Sequence, residues 1–254
     1  MTTVYPYPAP ALVTWGIAAI ALALAALFVQ GHRMAAVNAG LSPGKVRERT
    51  ASSAVCILVW LGLLAGLASS GILARFDLRP PPLLLVMLLV VVGALAFSLS
   101  MYGKRLAWGL PLAALVGFQA FRLPLELVMH EAARAGVMPP QMTYTGWNFD
   151  IVTGVTAVLL APAVARGGAP RWLVIAWNVV GLVLVTVVMG IGFVSTPMLH
   201  AFGDGPAVNG WIAWWPFVWL PGIIVAAAVS GHVLVFRRLF GMTGRSREPP
   251  ERQR

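Results

Sequence analysis

The chain has 254 residues, of which 59% are hydrophobic and only 10% are charged, and its mean hydropathy is +0.83. Soluble domains have roughly 25% charged residues, so this composition excludes an ordinary soluble globule. The apolar side chains need lipid around them. The formal net charge of +10 comes from short basic clusters between apolar runs. Because no basic stripe with interleaved aromatic residues is present, we exclude nucleic acid as a partner.

Seven apolar runs of about the length that spans a membrane follow one another along the chain. Because lipid cannot satisfy free backbone groups and the runs do not alternate in polarity, each run is predicted to be a helix. The first run has no positive region before it, so we interpret it as a retained span rather than a signal peptide. The predicted spans are 11–29, 52–74, 83–101, 110–132, 148–165, 171–193 and 211–236.

The distribution of basic residues predicts the orientation. The connections after the first, third and fifth spans and the C-terminal tail carry fourteen Lys and Arg residues, whereas the opposite connections carry three. By the positive-inside rule the N-terminus is outside and the C-terminus is cytoplasmic. The predicted fold class is therefore an all-α integral membrane protein, a single seven-transmembrane-helix bundle over residues 1–240, located in the cell inner membrane.

The C-terminal tail, residues 241–254, is rich in arginine and has almost nothing apolar to bury, so we predict that it is disordered. The basic cytoplasmic face is expected to contact the lipid bilayer at anionic head groups. A homo-oligomer, or a further partner in a membrane complex, is compatible with the sequence but not specified by it.

The fourth predicted span differs from the others because it contains ionisable side chains. Gln119, Arg122, Glu126 and His130 are three, four and four residues apart, so they share one face of a helix. Arg122 and Glu126 are about 6 Å apart along the axis, within reach of an ion pair. A charge at mid-membrane costs about 2.5–3.5 kcal/mol, so this face is expected to turn away from lipid. Pro124 should kink the span.

The fifth predicted span begins with Asn148 and Asp150, on the same side of the membrane as His130. The simplest interpretation is that Asn148 caps this helix and Asp150 lies in its first turn, where the helix dipole favours a negative charge. Spans joined by a short loop are usually neighbours, however, so these residues also become candidates for a common site. The predicted ligand- or proton-binding residues are Arg122, Glu126, His130, Asp150, Gln119 and Asn148.

Other polar residues have simpler interpretations. His200 and Asp204 belong to a turn-rich connection, and the four histidines form no close pair, so we predict neither a metal site nor a cofactor. Asn178 and His232 are isolated polar residues that are expected to make hydrogen bonds between helices. The last span begins with four tryptophans, which are typical of an interfacial belt: Trp211, Trp214, Trp215 and Trp219. Two prolines, Pro216 and Pro221, should break that helix.

The segment Phe121–Ala157 (FRLPLELVMHEAARAGVMPPQMTYTGWNFDIVTGVTA) resembles stretches in uncharacterised bacterial polytopic membrane proteins and covers about one seventh of the chain. The resemblance implies a polytopic membrane protein and no particular activity. Microbial rhodopsins bind retinal through a lysine in the last span, whereas Lys45 and Lys104 lie in connections. Ceramidase-related zinc hydrolases carry a close histidine pair, which is missing here.

The sequence is compatible with three functions. The first is a membrane protein that binds or transports a small anionic solute or protons through the charged face of the fourth span. The second is an intramembrane enzyme that acts on a lipid or lipid-linked substrate. The third is a structural subunit in which Arg122 and Glu126 only hold helices together.

Overall fold

The computed structural model describes residues 9–245, and every regular element in that range is helical. Its helices are α1 (Ala11–Asn38), α2 (Pro43–Ser69), α3 (Pro82–Leu99), α4 (Met101–Gly109), α5 (Leu112–Gly117), α6 (Arg122–Arg134), α7 (Ile151–Ala165), α8 (Arg171–Val194) and α9 (Val225–Arg245). A four-residue 3-10 segment (Phe118–Phe121) joins α5 to α6, and a π-helical segment (Leu220–Ile224) leads into α9.

Six helical segments are long and apolar enough to cross a membrane: Ala11–Asn38, Pro43–Ser69, Pro82–Leu99, Leu112–Arg134, Arg171–Val194 and Leu220–Gly241. The fifth predicted span is a shorter apolar helix, α7, of 15 residues. The prediction of an all-helical, multi-pass membrane protein is therefore confirmed. Seven complete spans and the orientation of the termini stay predictions.

The helices next to the basic connections extend beyond the predicted spans. Only residues 39–42 separate α1 from α2, so Arg33, Lys45 and Arg49 lie on helical turns rather than in a long loop. Lys104 and Arg105 are likewise on the short helix α4. Lys and Arg are good helix formers, so the backbone stays helical after the apolar run has ended.

The ends of several helices meet at one end of the bundle. The Asn38 side chain donates a hydrogen bond to the Gly109 carbonyl oxygen at 2.7 Å, and Arg171 donates to the Leu239 carbonyl oxygen at 3.0 Å. The first contact joins the end of α1 to the end of α4, and the second joins the start of α8 to α9. We call this the basic end, because it carries Arg33, Lys45, Arg47, Arg49, Lys104, Arg105, Arg166, Arg171, Arg237 and Arg238.

The last predicted span is wrong in its first nine residues. Residues 211–219 form turns and a short 3-10 segment, and the helix starts only with the π-helical segment at Leu220. Pro216 and Pro221 provide no backbone N–H, which explains why a regular helix cannot begin earlier. Trp211 and Trp219 are buried in the core rather than exposed in an interfacial belt.

Two indole hydrogen bonds hold this irregular segment against α2. The Trp219 Nε1–H donates to the Leu61 carbonyl oxygen at 3.1 Å, and the Trp60 Nε1–H donates to the Gly222 carbonyl oxygen at 2.9 Å. The principal apolar core lies around this contact and includes buried side chains of α1, α2, α6 and the segment that precedes α9.

Helix α9 continues to Arg245 and so includes the first five residues of the predicted disordered tail. Residues 246–254 of that tail lie outside the described residues.

Candidate functional site

The charged side chain at the start of α6 is paired with the start of α7. Arg122 has no exposed surface, and its Nη1 donates to Asp150 Oδ1 at 2.5 Å and to the Gly181 carbonyl oxygen at 3.3 Å. The sequence predicted Glu126 as the partner within ion-pair reach, and the structure corrects this to Asp150. The i, i+4 spacing only places two residues on one face, whereas the loop between α6 and α7 decides which carboxylate reaches the guanidinium group.

Glu126 has a neutral partner instead. Both of its carboxylate oxygens accept from Asn148 Nδ2 at 2.9 Å, and the Glu126 side chain is 1% exposed. Asn148 Nδ2 also donates to the Met142 carbonyl oxygen, and Asn148 Oδ1 accepts from the Asp150 backbone N–H at 3.0 Å. The prediction that Asn148 caps this helix, with Asp150 in its first turn, is wrong: α7 begins at Ile151, so Asp150 precedes the helix and Asn148 binds the backbone just before it.

Small residues allow these elements to approach each other. A Cβ atom on Gly154 would lie 2.4 Å from the Leu123 backbone nitrogen, so α7 crosses the first turn of α6 at backbone contact. Thr153, one residue earlier, donates to Asp150 Oδ1 at 3.3 Å. We call Arg122, Glu126, Asn148 and Asp150 the polar cluster.

Part of the Arg122 side chain has no partner within residues 9–245. Its Nε and Nη2 atoms are buried and make no hydrogen bond with any described residue. These two nitrogens form one edge of the planar guanidinium group, and that edge matches the two oxygens of a carboxylate or phosphate. A buried donor without an acceptor costs about 1–3 kcal/mol, so the site is built at a cost unless something accepts these hydrogens.

A cavity of about 70 Å³ borders the polar cluster. Its charged lining consists of Arg122, Glu126 and Asp150, and Asn209 adds an amide whose Oδ1 has no partner among the described residues. The rest of the lining is apolar and includes four methionines: Met87, Met129, Met142 and Met189. Methionine is flexible and polarisable, so this wall can adapt to different apolar shapes.

The connections opposite the basic end cover the cavity. Gln141 Nε2 donates to Ser195 Oγ at 3.0 Å and to the Ala207 carbonyl oxygen at 2.8 Å, which joins the loop after α6 to the loop after α8. Asn209 Nδ2 donates to the Gly192 carbonyl oxygen on α8. Met142 and Asn209, from these two connections, line the cavity.

Three of the six predicted site residues do not line this cavity: Asn148, which contacts Glu126, and Gln119 and His130. Gln119 is buried one turn before Arg122, where its Nε2 donates to the Ala228 carbonyl oxygen at 3.1 Å. His130 is only partly buried, and its ring stacks on Tyr144 with the ring centroids 4.7 Å apart. The structure thus brings four of the six predicted residues into direct contact and separates Gln119 and His130 from them.

Several contributors to the site were missed by sequence reasoning. Asn209 follows a turn-rich stretch of a connection, and its residue type alone does not distinguish it from a loop residue. The four methionines are far apart in the chain and have no common spacing. Gly181 contributes only its carbonyl oxygen, which no side-chain pattern can reveal.

A second buried polar pair lies next to Gly181. Asn178 Nδ2 donates to the His232 carbonyl oxygen at 3.0 Å, and His232 Nδ1 lies 2.7 Å from Asn178 Oδ1. This agrees with the predicted hydrogen bonds between helices. The Nε2 atom of His232 has no partner within the described residues.

His200 and Asp204 lie apart from the polar cluster. His200 Nδ1 is 2.7 Å from Asp204 Oδ1, and its Nε2 contacts the Pro197 carbonyl oxygen; both side chains are exposed. Within residues 9–245 no group of three or more His, Cys, Asp and Glu residues could hold a metal ion.

We expect a pH-dependent contact in this loop. Two hydrogen bonds raise the pKa of His200 above 6.5: the one with the Asp204 carboxylate has the larger effect, and the one with the Pro197 carbonyl oxygen the smaller. The contact should therefore be fully present below pH 6.5 and be lost as the pH rises through the raised value. Asp204→Asn should lower the pKa of His200, measured by NMR titration of its ring proton. Asp77→Asn is the control, and equal effects of the two substitutions would contradict this assignment.

Comparisons with profiles of known protein families, with curated proteins and with solved structures give no match to this chain.

Proposed function

We propose that this protein is a seven-span inner-membrane protein, with its N-terminus outside and its C-terminus in the cytoplasm, that binds a small carboxylate together with a proton and carries both across the membrane. The observation that supports this most directly is the free Nε and Nη2 edge of Arg122, a fully buried residue that lines a cavity. A carboxylate fits that edge with two parallel hydrogen bonds.

The apolar lining suggests the rest of the ligand. The cavity walls are mostly aliphatic and thioether side chains, and the charged groups come only from α6 and from the residue that precedes α7. A ligand with one acidic group and a short apolar body would place each part against matching surface. At about 70 Å³ the cavity suits a small molecule, and its methionines can move to enlarge it.

The charges around the cavity suggest why a proton would accompany the ligand. Asp150 already neutralises Arg122, and Glu126 has only the amide of Asn148 as a partner. A second anion would leave excess negative charge in a buried site, which is strongly unfavourable. A proton on Glu126 offsets the charge that the bound carboxylate adds, so ligand and proton are expected to bind together.

The binding test uses straight-chain monocarboxylates from acetate to octanoate, with the matching amides as neutral controls. At least one acid should raise the midpoint of thermal unfolding of the purified protein, whereas its amide should not, since a ligand that binds only the folded state stabilises it. Arg122→Lys keeps the charge but loses the two-nitrogen edge and should abolish the shift. Arg134→Lys, an exposed site on the same helix, should retain it.

The proton test uses the same acid. Its apparent affinity should rise as pH falls, by up to about tenfold per pH unit if one proton is taken up. Glu126→Gln should remove this dependence. The neutral acid also crosses a bilayer unaided, so the liposome test compares rates: the lumen should acidify faster with the natural protein than with Glu126→Gln or with protein-free liposomes. The proposal is wrong if no acid stabilises the protein more than its amide does, and if Arg122→Lys and Glu126→Gln take up the acid as fast as the natural protein. This result would favour a structural role.

A further inference from the structure

A second and larger cavity, about 510 Å³ in volume, lies between α1, α2, α3 and α9 and shares no residue with the polar cluster. Its lining is apolar over most of its area, with Leu27, Trp60 and Phe97 among the large side chains. Gly93 contributes open space on the α3 wall, because a Cβ atom there would meet nothing within 4 Å. We call this cavity the apolar groove.

The apolar groove has the length of one lipid leaflet. It extends along α1 from Leu24 to Met34, which is about 15 Å at 1.5 Å per residue. The hydrocarbon core of a bilayer is about 30 Å thick, so the groove covers about half of it. An acyl chain of a membrane lipid has matching length and chemistry.

The groove runs toward the basic end. Beyond Met34 on α1 the chain leads to Arg49 at the start of α2, and beyond Phe97 on α3 it leads to Arg105 on α4. Neither guanidinium group forms an ion pair within the described residues. Glu48 is the one acidic residue described at this end.

A histidine lies next to the groove and near both arginines. The His32 ring centroid is 4.6 Å from that of Phe28 and 6.1 Å from that of Phe97, and both phenylalanines line the groove. Arg49 and Arg105 are close enough to His32 to act on it electrostatically. His32 Nε2 is buried and has no partner among residues 9–245.

The geometry points to a binding site for one anionic phospholipid, with an acyl chain in the apolar groove and its phosphate between Arg49 and Arg105, next to His32. A phosphodiester accepts hydrogen bonds from guanidinium groups and supplies the negative charge that this end of the bundle lacks. Arg237 is engaged elsewhere, since its Nη1 donates to the Ser98 and Ser100 carbonyl oxygens at 2.5 and 2.8 Å.

The test measures lipid retained by the purified full-length protein, by native mass spectrometry after exchange into equal amounts of phosphatidylglycerol and phosphatidylcholine. We expect the natural protein to keep about tenfold more phosphatidylglycerol, as two basic side chains at a head group allow. Arg49→Gln together with Arg105→Gln should bring the ratio close to one. Arg166→Gln, an exposed site at the same end, should leave it unchanged.

The groove itself is tested by filling it. Gly93→Leu should reduce retention of both lipids, whereas Gly190→Leu is the matched control, because Gly190 also meets nothing within 4 Å and lies on α8, outside the groove. Gly31→Leu is a second filling variant from the α1 wall. Equal retention of the two lipids by the natural protein, or full retention by both filling variants, would overturn the proposal. If the natural protein is a dimer and the filling variants are monomers, a second copy of the chain occupies the groove, and this result would overturn the proposal too.

Discussion

Replacing Arg122 by Met should lower the free energy of unfolding by about 3–5 kcal/mol, because it leaves the Asp150 carboxylate charged and unpaired in a buried site. The measurement is reversible unfolding in mixed micelles. Arg134→Met is the matched control on the same helix: its ion pair with Glu131 is exposed and 3.3 Å long, so its loss should cost no more than about 1 kcal/mol.

Double variants identify the partner of Arg122. If the contact with Asp150 dominates, Arg122→Met combined with Asp150→Leu should recover most of the lost stability, since both charges leave the apolar interior together. Arg122→Met combined with Glu126→Gln should remain as unstable as the single variant, because Asp150 is still unpaired. If stability recovers with Glu126→Gln but not with Asp150→Leu, the partner of Arg122 is Glu126, as the helical spacing alone suggests.

Gly154→Ala is the second substitution with a large expected effect. The new Cβ atom would lie 2.4 Å from the Leu123 backbone nitrogen and 3.0 Å from the Arg122 carbonyl carbon. Backbone atoms cannot rotate away, so α7 must move off α6, at a cost of about 1–3 kcal/mol or more. The same displacement carries Asp150 away from Arg122, so stabilisation by carboxylates should be lost as well.

Gly190→Ala provides the comparison for this substitution. Gly190 is also inside an apolar helix, but a Cβ atom there meets nothing within 4 Å. Alanine should therefore be neutral or stabilise by up to about 1 kcal/mol, through its better helix propensity. Equal unfolding free energies for the two alanine variants would show that α6 and α7 are not in backbone contact at Gly154.

The sequence predicts the helical segments well where the apolar runs are uninterrupted. The cores of α3 and α8 match the predicted spans within a few residues, because the membrane length and the need for internal hydrogen bonds leave few alternatives. The prediction fails where proline prevents a regular helix, as in residues 211–219 before the π-helical segment.

The polar cluster was only partly accessible to sequence reasoning. Arg122 and Glu126 are conspicuous because a charge in an apolar run is costly, and this holds whatever the fold. Their partners depend instead on how the loop after α6 returns Asn148 and Asp150 to the same depth, which spacing along one helix does not encode. Asn209 approaches from a different connection, so only the assembled bundle reveals it.

The paired indole bonds between α2 and the segment before α9 bear on how the chain is assembled during synthesis. Their donors and acceptors are 162 and 158 residues apart, so α2 enters the bilayer long before its partner segment has been translated. Chains are made from the N-terminus at about 5–20 residues per second, which leaves α2 without these bonds for roughly 8–30 s. The orientation of α2 against the segment before α9 is therefore fixed only when Trp219 and Gly222 have been made, after the helices α3 to α8.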